Sequence, residues 1–174
     1  GKVDPSGEAM RMALLSTSAW LTVRARILGA VDYVLRHAKG YGPEPGYKNP
    51  DGFIDCSGLV TFVMIRAGLF PHAALHGWNT GRIRSMAPRK GQPSVRYFDR
   101  SRGMPYQVGD ILWAPGRRFG HVAIVVSDGP DPWIAESSPR YRGPTKHRLN
   151  ARLRTWKPQE SLRFFIKVAH NVIR

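Results

Sequence analysis

The stretch PDGFIDCSGLVTFVMIRAGL, Pro50 to Leu69, decides how this chain is read. It opens on turn residues, passes through Asp55 and then turns apolar from Leu59 to Ala67. An aspartate just before an apolar helical pattern is a favoured N-cap, because its carboxylate accepts an unpaired N–H of the first turn. The pattern predicts a helix from about Cys56 to Gly68, with the glycine as its stop. Cys56, the chain's only cysteine, then stands on the first turn of that helix. Position alone leaves two readings open. Free cysteine is often a small buried filler. A thiol beside first-turn N–H groups and the positive end of a helix dipole is also favoured as a thiolate nucleophile, and the same N–H groups can receive a developing oxyanion.

Upstream, residues 1–17 read as a loose N-terminal arm, and residues 18–174 as a single domain. From Ser18, taken as N-cap, apolar positions recur at helical spacing through Leu21, Ile27, Leu28, Val31, Val34, Leu35 and Ala38. Arg36, His37 and Lys39 close that helix and Gly40 stops it. Residues 41–52, rich in Gly, Pro and Asn, read as loop. Residues 71–109 form an excursion crowded with Pro, Gly and Arg, with one short helix near Asn79–Met86. Strands come late, at Asp110–Ala114, His121–Ser127, Trp133–Ser138 and Leu162–Ala169. Helices first and antiparallel strands afterwards give an α+β fold, N-terminal helices packed on an antiparallel β-sheet. Asp110 is read as closing a turn before its strand.

His121 opens an otherwise apolar strand, where bulk would be expected. A thiol nucleophile needs a general base within hydrogen-bond reach, so His121 becomes the candidate base for Cys56. A third group follows from hairpin arithmetic. A two-residue turn at Asp128-Gly129 sets Ser127 opposite Pro130 and His121 opposite Glu136. Opposed residues share a face about 5 Å apart, and Glu136 would then orient the imidazole. Pro130 and Pro132 disturb that register, but any even loop length keeps Glu136 on the face of His121.

Three blocks of this chain, PDGFIDCSGLVTFVMIRAGL, YQVGDILW and GHVAIVVSDG, resemble the signature blocks of the NlpC/P60 cysteine peptidases, in the same order. The resemblance covers roughly residues 20–140. It implies a papain-like core with Cys56 as nucleophile and His121 as base. The third polar residue would fall near Glu136, with His147 as the weaker alternative. It further implies hydrolysis of bacterial peptidoglycan stem peptides, often after γ-D-glutamate, in the cell wall or periplasm and without a metal or other cofactor. For substrate binding it offers Tyr41 or Tyr47 in the loop before the cysteine, and Asp55 and Ser57 beside it. Trp78, as a groove wall, and Arg82 are added as candidates from the excursion. The chain departs from the family pattern in the extra Ile54 and in the PDP insertion of the hairpin, residues 130–132.

The net charge of +15 points to an anionic partner, which on this reading is substrate carboxylate or an anionic wall polymer. Basic residues crowd the excursion and a tail from Arg140 to Lys157. A nucleic-acid-binding module with a structural cysteine is the rival of a different class. No helix-turn-helix, zinc-finger or RNA-binding sheet signature supports it. One cysteine excludes both an internal disulfide and a multi-thiolate metal site. No apolar run is long enough for a membrane span, no targeting segment is read in the chain, and a monomer is expected.

Overall fold

The computed structural model describes residues 9–42, 48–88, 98–99 and 105–168. Tyr47 and the basic residues Arg89, Lys90, Arg96, Arg100 and Arg102 lie outside the described residues.

The first strand, β1 (Ala13–Leu15), lies in the expected loose arm and pairs in parallel with β8 (Phe165–Lys167). Met10 is buried, and its N–H donates to the Met86 carbonyl, so the described part of the arm is packed down. Helix α1 (Thr17–His37) starts earlier than expected. Ser16, not Ser18, is its N-cap and accepts the Ala19 N–H, while the Ser18 carbonyl already accepts the Thr22 hydroxyl inside the helix. The buried face runs through Val23, Ile27, Ala30, Val31 and Val34, and Leu21 is exposed.

Helix α2 (Cys56–Arg66) begins where the sequence predicts, with Asp55 accepting the Gly58 N–H at 2.6 Å. Leu59, Val60, Val63 and Met64 have no exposed surface, which is why this short helix is apolar nearly all round. Two short helices follow, α3 (Ala74–Gly77) and α4 (Thr80–Met86), the second capped by Asn79 through the Arg82 N–H.

The main sheet takes β2 (Phe98–Asp99), β3 (Ile111–Ala114), β4 (His121–Val125), β5 (Trp133–Ser138), β6 (Gly143–Arg148) and β7 (Glu160–Leu162). Its order is β2-β7-β3-β4-β5-β6 and every neighbouring pair is antiparallel. Helices α1 and α2 pack on the face that carries Ile111, Val122, Ile124 and Ala135. Leu112, Ala123, Val125 and Ile134 point the other way, under Leu149 of α5 (Leu149–Arg152) and Trp156. Strand side chains alternate between faces, so β4 reads as one apolar run because both its faces are covered.

Two expectations change. The single strand over 162–169 is two, because the chain turns between β7 and β8 to let Arg163 grip the buried Asp110 with two 2.8 Å contacts. Asp110 also accepts the Gln107 N–H and so closes the expected turn. Strand β6 lies in what reads as a basic tail, and it pairs along its whole length with β5.

The β4–β5 register also differs. The pairs are Ile124 with Ala135 and Val125 with Ile134, so one more ladder step sets Ala123, not His121, opposite Glu136. Pro130 and Pro132 cannot donate to a ladder. Gly129 instead exchanges backbone hydrogen bonds with Tyr106, and the Ser127 hydroxyl accepts the Trp133 N–H. The slip is two residues, so parity is kept. Glu136 remains on the face of His121, displaced along the diagonal.

Gly109 has a φ of +95°, and a Cβ there would meet the Phe165 ring at 2.4 Å. Gly129 has a φ of +110° with nothing within 4 Å. Backbone strain alone predicts that Gly129→Ala costs about 1 kcal/mol, whereas overlap added to strain predicts about 3 kcal/mol for Gly109→Ala. Urea unfolding of the two variants checks the ranking.

Candidate active site

The site is assembled from the loop that enters α2 and from three neighbouring strands. Ile54 is buried; its N–H donates to the Gly40 carbonyl, and its carbonyl accepts the Ser137 hydroxyl at 2.6 Å. The segment before the cysteine is therefore pinned to β5, one residue beyond Glu136. Asp55 caps the helix and also accepts the Lys48 ammonium at 2.9 and 3.1 Å. Lys48 further contacts the Ser57 hydroxyl, which itself lies 3.3 Å from Asp55. The side chains of Lys48 and Asp55 are each 7% exposed, so this ion pair is buried beneath the first turn. Asp55 and Ser57, expected near substrate, are held in this capping network.

Cys56 is itself buried at 8% exposure and lies close enough to His121 for its sulfur to raise the imidazole's pKa. His121 Nε2 donates to Glu136 Oε1 at 2.7 Å, which leaves Nδ1 as the ring nitrogen for the thiol. Gly120 lets the strand start pack closely, since a Cβ there would lie 2.7 Å from the Ala114 carbonyl and 2.9 Å from the Thr80 hydroxyl. Glu136 has no exposed surface and is met on every side. His147 Nε2 donates to its Oε2 at 2.7 Å, and Arg152 grips both oxygens at 2.8 and 2.9 Å. Trp156 stands edge-on to His121 with ring centroids 4.9 Å apart.

These contacts decide the charges. Burial alone would lower the His121 pKa, but hydrogen bonds to Cys56 and Glu136 outweigh it and raise the value to about 9. Burial alone would raise the Glu136 pKa; hydrogen bonds from His121 and Arg152 outweigh it and bring the value down to about 2. At neutral pH the site therefore holds an imidazolium between the sulfur and a carboxylate. A thiol on a helix's first turn, beside a histidine whose other nitrogen is held by a buried carboxylate, is an arrangement with which acyl transfer is chemically feasible.

Tyr41 also joins the site. Burial first, then the negative charge of Cys56 and Asp55, push its phenol to about 12. Its backbone N–H donates to the Arg142 carbonyl at 3.0 Å, where Gly40 and Gly143 allow the two chains to touch. Tyr47 lies outside the described residues. Trp78 and Arg82 are brought together, lining a shallow groove with Asn79 and Ser85 along α4. Trp78 is buried against Phe70, with ring centroids 4.7 Å apart, and Arg82 is exposed.

Sequence reasoning missed Lys48 and Arg152. Lys48 sits in a loop without periodicity. Arg152 sits in a basic run that reads as surface, yet it is 6% exposed. The one available signal was alternation in β6, where Thr145 and His147 are half-buried between the exposed Lys146 and Arg148. Among the described residues, no group of three or more His, Cys, Asp or Glu is arranged to hold a metal ion.

Two outcomes are expected. The stabilisation from the raised His121 pKa is fully present below about 6.5 and is lost as pH rises through about 9. That from the lowered Glu136 pKa is present above about 4.5 and is lost as pH falls through about 2. Calorimetry across pH should show Tm declining between pH 7 and 9, with a smaller decline in Cys56→Ala, which lacks one of the contacts that raise His121. Lys48→Met leaves the buried Asp55 without its cation and should cost about 2 kcal/mol in the same assay.

Compared with known proteins, the sequence matches no protein-family model and no curated protein.

Proposed function

We propose that the chain is a papain-like cysteine peptidase that hydrolyses amide bonds in peptidoglycan stem peptides. The observation that carries the reading is the placement of Cys56 at the start of α2 beside His121, whose Nε2 is held at 2.7 Å by the buried Glu136. The substrate class is supported by the likeness of three sequence blocks to the NlpC/P60 peptidases. The +15 charge is consistent with an anionic wall polymer or stem-peptide carboxylates as partner.

Cys56 Sγ attacks the carbonyl carbon of the scissile amide while its proton resides on His121. The first-turn N–H groups of Cys56 and Ser57 face the developing oxyanion, since the Gly58 N–H is committed to Asp55. As the tetrahedral intermediate collapses, the C–N bond breaks and His121 gives its proton to the departing amine. Glu136 holds the ring through Nε2 and stabilises its charged form. Water, deprotonated by His121, then cleaves the thioester and restores the thiol. The work is placed in the bacterial wall or periplasm. Among the described residues no helix is long and apolar enough to cross a membrane.

Mass spectrometry of purified muropeptides incubated with the protein tests the proposal. Wild type is expected to release fragments cut between γ-D-glutamate and the diamino acid. Cys56→Ala should release none while keeping its circular dichroism, and His121→Ala should lose about a thousandfold or more. Full activity in Cys56→Ala would sink the reading. Intact muropeptides together with rapid alkylation of Cys56 would reject the substrate class and keep the chemistry. Fragments with the mass of a transfer product would make the reaction acyl transfer to an acceptor other than water.

A further inference from the structure

We propose that Arg152 is a positioning residue of this site, acting through Glu136 to hold the plane and charge that orient His121; the proposal rests on the Cys56–His121–Glu136 reading. The terminal torsion of a glutamate is broad, so burial alone does not fix where its lone pairs point. Here each oxygen receives one imidazole nitrogen and one guanidinium nitrogen, and the guanidinium spans both. A planar fork on a carboxylate fixes orientation in a way that an ammonium cannot.

The arginine is itself immobilised. Nη1 donates to the Thr155 hydroxyl at 2.9 Å, and the guanidinium carbon lies 5.3 Å from the Trp156 ring and 5.4 Å from that of Tyr141. Those two rings continue outward, Trp156 against His121 and Tyr141 against His147, each with centroids 4.9 Å apart. One guanidinium thus braces the carboxylate directly and both of its histidine partners through aromatic neighbours. The groups facing Glu136 are His121 from β4, His147 from β6 and Arg152 from α5, with Cys56 beyond His121 and Tyr41 near Cys56 and Asp55. Arg152 balances the carboxylate charge, so the imidazolium is left to pair with the sulfur.

The test is the rate at which iodoacetamide alkylates Cys56 as a function of pH, which needs no peptidoglycan and so separates this inference from the choice of substrate. Arg152→Met should move the acid limb to higher pH, slowing alkylation on that limb about tenfold, as loss of an outer-shell partner does elsewhere. Arg152→Lys, which keeps the charge and loses the fork, should slow it about threefold and carries the test if Arg152→Met does not fold. In a Glu136→Gln background, Arg152→Met should add nothing further. A lowered Tm with an unmoved pH profile would overturn the proposal, as would an equal slowing with and without Glu136. A profile unmoved in Glu136→Gln alone would take the Cys56–His121–Glu136 reading down with it.

Discussion

A carboxylate stripped of water persists in a protein interior only where donors replace its hydration shell, and Glu136 is placed under that demand by its position on β5. Its four contacts come from β4, β6 and α5, so satisfying it brings three elements into one arrangement. The next residue, Ser137, faces the other side of the sheet and holds the Ile54 carbonyl, two residues before Cys56. Two adjacent strand positions, pointing opposite ways, therefore locate His121 and the chain that carries Cys56. A shift of β5 by one residue would exchange their faces and separate the pair.

Burying ions is rarely a route to stability, because desolvation offsets most of the attraction. The chain nonetheless buries Asp55 with Lys48, Asp110 with Arg163 and Glu136 with Arg152. Each pair ties one structural segment to another. Asp55 and Lys48 tie the entry loop to the helix start. Asp110 and Arg163 fix the turn before β3 and divide β7 from β8. Glu136 and Arg152 fasten the return chain to the centre of the site. The pairs specify geometry, while the apolar cluster around α1, α2 and the sheet provides the bulk of the driving force.

Much of this was legible in local chemistry. Asp55 followed by an apolar helical pattern is enough to start a helix at Cys56, since a cap and the N–H that donates to it lie within three residues of one another. Asn79 announces the short helix over 80–86 in the same way. Strand β5 falls on the expected residues, Trp133–Ser138, and the parity of the hairpin keeps Glu136 on the face of His121 although its length was misjudged. The charged strand β6 was not legible because its basic composition reads as a solvated tail, although it pairs with the neighbouring β5, and the split between β7 and β8 was not because Arg163 and Asp110 are distant along the chain. Nothing near Arg163 in sequence announces Asp110, and nothing near Gly143 announces Gly40.

By itself the sequence determined the α+β order of elements, the cap that sets Cys56 on a helix start, and a histidine and a glutamate at face-compatible positions. These follow from contacts a few residues apart or from the two-residue period of a strand. Tertiary structure decided which group stands behind His121, that Arg152 is interior and not surface, and that Lys48 lies beneath the helix turn that carries Cys56. Those outcomes depend on which distant segments share a dry interior, where the need to pair every buried charge selects partners that no local pattern encodes.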